Sequence, residues 1–210
     1  MTAGELLNHF NMKTSSMGLP RVLEGVALDY LNDAYRLFVA GIDGVPDEEE
    51  IALEIGETEI VLPPYVLKVR SAIRADGRFI KIVNRLDTET TTAVVDSGLG
   101  AIKYFMLGAK QGVMRVVESP IAAETVLLDV DRLPRALLTA TSALSDIAEL
   151  RQLGLADKMV AHAMMLNPDP KIRSQADGFE LRFTAGIIGA RKEKSRVKSK
   201  PARLMAYGGI

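Results

Sequence analysis

Apolar residues recur at two different periods along this chain, and the switch between them constrains its fold more than any single motif. Near the N-terminus, Leu23, Val26, Tyr30, Leu37 and Phe38 return at three- and four-residue steps, with Ala27 and Ala34 between them. That spacing puts side chains on one face of a helix. The helix is expected to start with Pro20 in its first turn, to reach about Ala40, and to stop at Gly41. A shorter helix over Thr2–Phe10 precedes it, because Thr2 and Glu5 have capping-box spacing and Leu6, Leu7 and Phe10 give it an apolar side.

The middle of the chain changes period. Ile60-Val61-Leu62 ends at Pro63-Pro64, and Val66–Arg74 and Phe79–Leu86 flank Ala75-Asp76-Gly77-Arg78. Asp-Gly favours a two-residue hairpin turn, since both positions take positive φ. With that turn, Ile73 faces Ile80, Ser71 faces Ile82, Val69 faces Asn84 and Leu67 faces Leu86. The other side pairs Arg74 with Phe79, Ala72 with Lys81, Arg70 with Val83 and Lys68 with Arg85. One side is mostly apolar and the other basic, as a half-exposed antiparallel sheet requires. Thr88–Gly112 carries a weak signal. Strands return at Val113–Val117 and Thr125–Arg132, and Pro134 closes the β region.

Helical spacing then resumes. Asp146–Leu166 carries Ile147, Leu150, Leu153, Ala156, Val160 and Met164 along one side, and Asn167-Pro168-Asp169-Pro170 ends it. Lys171 to about Lys194 carries Ile172, Phe179, Phe183, Ile187 and Ala190. The fold class is therefore α+β: a helical bundle built from the N- and C-terminal helices, with a central antiparallel β insertion and an extended C-terminal arm. The corresponding parts are 1–42, 43–135, 136–190 and 191–210.

Charge separates the arm from the body. The chain holds 26 basic and 27 acidic residues, of which seven basic and one acidic lie in 191–210. The first 190 residues keep 19 basic and 26 acidic, a balance of −7. An acidic body with a basic tail implies a charged partner for the tail. Its cations are Arg191, Lys192, Lys194, Arg196, Lys198, Lys200 and Arg203. Nucleic-acid binding, docking and plain disorder are all open to such a segment. Its end, with Leu204, Met205, Tyr207 and Ile210, favours an arm that orders on binding, the charges steering approach and the apolar residues filling pockets.

Several function classes lose ground on composition. Cys is absent, which removes disulfides, thiolate nucleophiles and Cys-ligated metals. Trp is absent and aromatics are 5%, which leaves few rings for stacking on single-stranded bases. No apolar run reaches bilayer length, and no secretory signal opens the chain, so a cytoplasmic site of assembly and no membrane partner are expected. His9 and His162 are the only histidines. His162 lies on a helix among methionines with no motif-placed partner, so a packing or interface role outweighs a general base. Asp43–Glu59 holds eight acids and no Lys or Arg. It is expected to be a loop entering a strand, and it lacks the ligand offsets of a calcium hand. Gly98-Leu99-Gly100 lacks the Lys-Ser/Thr of a phosphate loop. No catalytic, cofactor or metal site is expected, and the chain is not read as an enzyme. Lys68, Arg70, Arg74, Lys81 and Arg85 form either a solvated strand face or a backbone-contacting one.

At several points the chain resembles the head-to-tail adaptor (connector) proteins of tailed bacteriophages, especially short-tailed ones. The similar stretches are Asn32-Asp33-Ala34-Tyr35-Arg36, Leu62-Pro63-Pro64-Tyr65-Val66-Leu67-Lys68-Val69-Arg70, Asp76-Gly77-Arg78-Phe79-Ile80 and Leu128-Asp129-Val130-Asp131-Arg132-Leu133-Pro134. Leu153–Leu166, Asp169 and Ala176–Phe183 follow in the order such adaptors keep. Many adaptors have an aromatic in the His162 helix, where this chain has Met159, Met164 and Met165. The resemblance implies a structural virion protein of the neck or tail, assembled in the host cytoplasm as a homododecameric ring. Its implied partners are further copies of itself, the portal, the next tail component (nozzle or tail tube), and genomic double-stranded DNA passing through the lumen without sequence specificity. In that reading Arg191–Arg203, Leu204, Tyr207 and Ile210 grip the portal. Asp47, Glu48, Glu49 and Glu50, with Lys68, Arg70, Arg74, Lys81 and Arg85, are candidates for the subunit or tail interface. The alternative is a DNA-binding accessory protein using the basic tail and the basic hairpin face.

Overall fold

The computed structural model describes residues 1–84 and 99–199. The chain is mixed α+β and divides into two compact units, Met1–Ile42 with Ala136–Ile210, and Asp43–Arg135.

The first unit is helical. α1 (Ala3–Ser16) starts on a complete capping box: Thr2 Oγ1 accepts from the Glu5 N–H at 3.2 Å, and the Glu5 carboxylate accepts from the Thr2 N–H at 2.7 Å. It runs past Phe10, where the sequence pattern fades. Its last turn is held by Lys13, which pairs with Asp157 at 2.8 Å. α2 (Glu24–Gly41) begins after Pro20 rather than on it. Its buried side is Ala27, Leu31, Ala34, Tyr35, Phe38 and Val39, rotated away from the stripe that the larger side chains predict. Leu23, Val26 and Leu37 of that stripe are exposed.

α3 (Glu149–Met165) packs against α1, α2 and α5 (Ala176–Ser199). It buries Leu155, Met159, Val160 and Met164, while Leu150 stands 88% exposed. Each buried Leu, Met or Phe here stabilises the fold by about 1.5–3 kcal/mol. The short α4 (Pro170–Arg173) is capped by Asp169 and separates α3 from α5. Phe38 and Phe183 meet edge to face at 6.0 Å, and α2 approaches α5 closely at Gly41. A Cβ there would lie 2.7 Å from Ile187 Cγ2, so any side chain would force Ile187 to move. The Asn32 amide clasps the backbone of Leu138 from both sides, accepting from its N–H at 2.7 Å and donating to its C=O at 3.3 Å.

One expectation for this unit is corrected. The basic segment does not leave the body as an extended arm at Arg191, because α5 continues to Ser199. Lys and Arg are good helix formers, and Lys194 ties the helix back by donating to the Ile42 carbonyl at 3.2 Å.

The second unit is built on a seven-stranded sheet of order β1-β9-β3-β4-β6-β7-β2, beside a two-stranded pair β5-β8. The strands are β1 (Val45–Leu53), β2 (Glu59–Val61), β3 (Val66–Arg74), β4 (Phe79–Asn84), β5 (Leu99–Gly100), β6 (Tyr104–Lys110), β7 (Val113–Val117), β8 (Ser119–Pro120) and β9 (Glu124–Arg132). Leu53, Ile60, Val69, Ile80, Phe105, Met114 and Leu128 belong to its apolar core.

The sheet is mixed rather than antiparallel, since β4 pairs parallel with β6, and the separate pair β5-β8 is parallel as well. A parallel neighbour needs a long connection, and β4 ends at Asn84 while β6 begins at Tyr104. The hairpin register is also one residue away from the predicted one. Ile73 faces Phe79 and Ala72 faces Ile80. The turn is a three-residue loop: the Gly77 N–H donates to Arg74 O, the Arg74 N–H donates to Arg78 O, and Gly77 takes φ +83°. That is the geometry of a type I turn closed by a left-handed glycine. A register irregularity between Val69 and Ser71 then places Val69 and Ala72, three apart, on the core side.

Candidate assembly surfaces

β1 occupies the acidic stretch where the sequence predicts a loop. It pairs with β9 along its whole length, from Val45↔Arg132 to Leu53↔Glu124. Strand alternation divides its acids between two faces. Asp47 and Glu49 point with Ile51 and Leu53 toward the more buried side, and Glu48 and Glu50 are exposed. The buried pair has its own cations. Arg132 Nε donates to Asp47, and Arg135 reaches Asp47 at 3.0 Å and Glu49 at 2.7 Å. The hydrogen bond from Arg132 holds the Asp47 carboxyl below its ordinary value, against the opposing effect of burial. The Arg135 guanidinium lies 5.5 Å from the centre of the Tyr65 ring. Burial first, and Glu49 second, push the Tyr65 phenol up.

The hairpin cations divide in the same way. Arg70 is ion-paired with Asp129 on β9, and Arg74 pairs with Glu124 at 3.3 Å. Lys68 and Lys81 are exposed. Arg85 lies outside the described residues. Phe79 stays on the outer side, where the sequence places it, and is 76% exposed; the shifted register sets Ile73 opposite it in place of Arg74.

In the basic segment, Arg191, Lys192, Lys194, Arg196 and Lys198 ride on α5. Arg151 of α3 pairs with Glu193 at 2.6 Å, the one acid of that stretch. Lys200, Arg203, Leu204, Tyr207 and Ile210 lie outside the described residues.

The helical unit presents surface that the sequence pattern assigned to its core. Leu23 is 77% exposed, and Val26 and Leu37 lie on the same side of α2; Leu181 and Ile188, outside the stripe read for α5, are exposed as well. Of the predicted α2 stripe, Ala27, Ala34 and Phe38 are buried, and Leu23, Val26 and Leu37 are left outside. His162 stacks on Tyr30 with ring centres 4.4 Å apart.

Between α1, α3 and α5 lies an open groove of about 570 Å³. Asp157 sits within it, largely buried, and takes Lys13 at 2.8 Å and Arg182 at 3.6 Å. The Arg182 guanidinium also lies over the Phe179 ring at 4.2 Å, and Met17 completes an apolar margin. Among the described residues, no group of three or more His, Asp or Glu side chains is placed to hold a metal ion, and no helix is long and apolar enough to cross a membrane.

Two comparisons with known proteins bear on these surfaces. A family model described as SU10 adaptor protein matches residues 1–205. No curated protein matches the chain.

Proposed function

The chain belongs to the SU10 adaptor protein family, and on that footing we propose that it is a structural virion protein which forms a homo-oligomeric ring at the head-to-tail junction. In this reading the ring joins the portal to the next tail component, and DNA passes through its lumen. The helices of 1–42 and 136–190 form a bundle that makes the ring body, and the β region of 43–135 faces the tail. The basic segment from Arg191 onward carries the portal contact.

The observation that carries the reading is the family match over almost the whole chain. The exposed apolar side chains support it physically. Leu23, Val26 and Leu37 lie exposed on one side of α2, and an apolar row of this kind on a helix is suited to association. The alternative, a DNA-binding accessory protein, draws less support. Arg70 and Arg74 of the basic hairpin face are committed to Asp129 and Glu124, so two of its five cations are already spent on carboxylates rather than open to phosphates.

The test uses truncation after Ser199, which preserves α5. Full-length protein mixed with portal-bearing capsids is expected to appear as rings in electron micrographs, and the truncated form is expected to lose most of its capsid attachment. Normal attachment by the truncated form removes the docking role of the tail. Absence of rings in the full-length sample removes the adaptor reading. Duplex DNA affinity that falls steeply with salt would favour the alternative.

A further inference from the structure

We propose that the α1–α3–α5 groove of one copy receives the outer face of α2 from the next copy. The inference rests on the ring reading above and names the lateral contact that would close it.

The groove is built to hold a carboxylate next to apolar side chains. Two cations, Lys13 and Arg182, share the single Asp157 carboxylate. Arg182 lies between Asp157 at 3.6 Å and the Phe179 ring beneath it at 4.2 Å. Its contact with Asp157 is through Nε, so the two terminal amino groups keep their N–H donors without a partner among the described residues. A guanidinium whose fork is open is a receptor for a planar carboxylate, since its two terminal amino groups match the two carboxylate oxygens. Met17 and Phe179 supply the apolar margin.

The matching surface lies on α2. Val26, Asp29, Asp33 and Leu37 are spaced by three, four and four residues, and so form one row. All four are exposed. Asp29 and Asp33 have no hydrogen bond or ion pair among the described residues. Two unpaired carboxylates one turn apart repel each other on an isolated helix, and a cation from outside relieves that repulsion. The row thus offers acid framed by aliphatic carbon, and the groove offers surplus positive charge framed by Met17 and Phe179.

Neither surface complements itself. A contact of unlike surfaces is head-to-tail, and repeated head-to-tail contacts close into a ring when the rotation permits. A two-fold dimer through either surface would instead bring like charges together.

The experiment is a charge exchange in the full-length protein. Asp33→Arg and Arg182→Glu are made singly and together, with Asp29→Arg as a second single variant, since either acid can seat in the fork. All three positions are exposed, and thermal melting checks that each variant is folded. Ring yield on portal-bearing capsids is read by electron microscopy and native mass measurement. Each single variant is expected to lower ring yield about tenfold, and the Asp33→Arg/Arg182→Glu pair to recover most of it. Single variants that assemble like the wild type, or a double variant as poor as the singles, overturn the contact. A wild type that forms no ring overturns the ring reading itself, and the contact with it.

Discussion

At Asp47, one carboxylate ties the stability of the sheet unit to acid. Arg132 favours its ionised form, so its folded pKa lies below the unfolded value of 3.8. A group depressed in this way contributes fully above the unfolded pKa, and the contribution is lost as pH falls through the lower folded value. Stability is therefore expected to drop in the acid limb below about pH 4, and Asp47→Asn is expected to flatten that limb while costing stability at neutral pH. Urea melts of both forms across pH 2–7 check this, and parallel curves would rule it out. Tyr65 acts at the opposite end. Its raised phenol favours the neutral form in the folded state, so its contribution is present below pH 10 and is lost as pH climbs through the higher folded value. Nothing in the spacing of Asp47, Tyr65, Arg132 and Arg135 announces that they meet. The arginines that pair with two of the acidic run's eight acids, Asp47 and Glu49, lie about 85 residues downstream, beyond any local pattern.

Among the elements, those whose own residues decide the conformation are legible and those decided by neighbours are not. α1 is announced by Thr2 and Glu5, and both cap bonds form. Thr2→Ala is expected to cost about 1 kcal/mol, measured as a shift in the denaturant midpoint of the helical unit with an unchanged slope. β3 and β7 carry β-branched runs and are found at Val66–Arg74 and Val113–Val117, as read. β1 has four consecutive acids and becomes a strand only because β9 runs beside it. β6 contains Gly108 and lies parallel to β4, a pairing that no turn signature can encode. The hairpin misreading has a narrower cause. Asp76-Gly77 fits two turn types, and the choice of the three-residue one moves every facing pair by one, which sets Ala72 rather than Ile73 opposite the buried Ile80.

Across the whole molecule, the apolar residues fall into two populations that periodicity alone does not separate. Leu155 and Met159 are buried, while Leu150 on the same helix is not. Leu150→Ser is therefore expected to leave the thermal midpoint of the isolated chain within about 0.5 kcal/mol of wild type but to lower its yield in assembled particles. A comparable loss of stability would instead place Leu150 in the core. The candidate surfaces were legible in the sequence as charge: the acidic stretch and the basic segment are visible in composition. Which charges are spent internally, such as Arg70 on Asp129, needs the strand register.

The helical unit is assembled from two stretches of chain separated by the sheet unit, 93 residues from Asp43 to Arg135. On a ribosome this spacing is a delay. At about 5–20 residues per second, α1 and α2 emerge roughly 5–20 s before α3. For that interval Phe10, Leu31 and Phe38 lack most of their eventual neighbours, while the contiguous sheet segment can already fold. The order of synthesis thus makes the β unit the first folded part of each newborn chain, and makes the N-terminal helices clients for whatever shields apolar surface until α3 arrives.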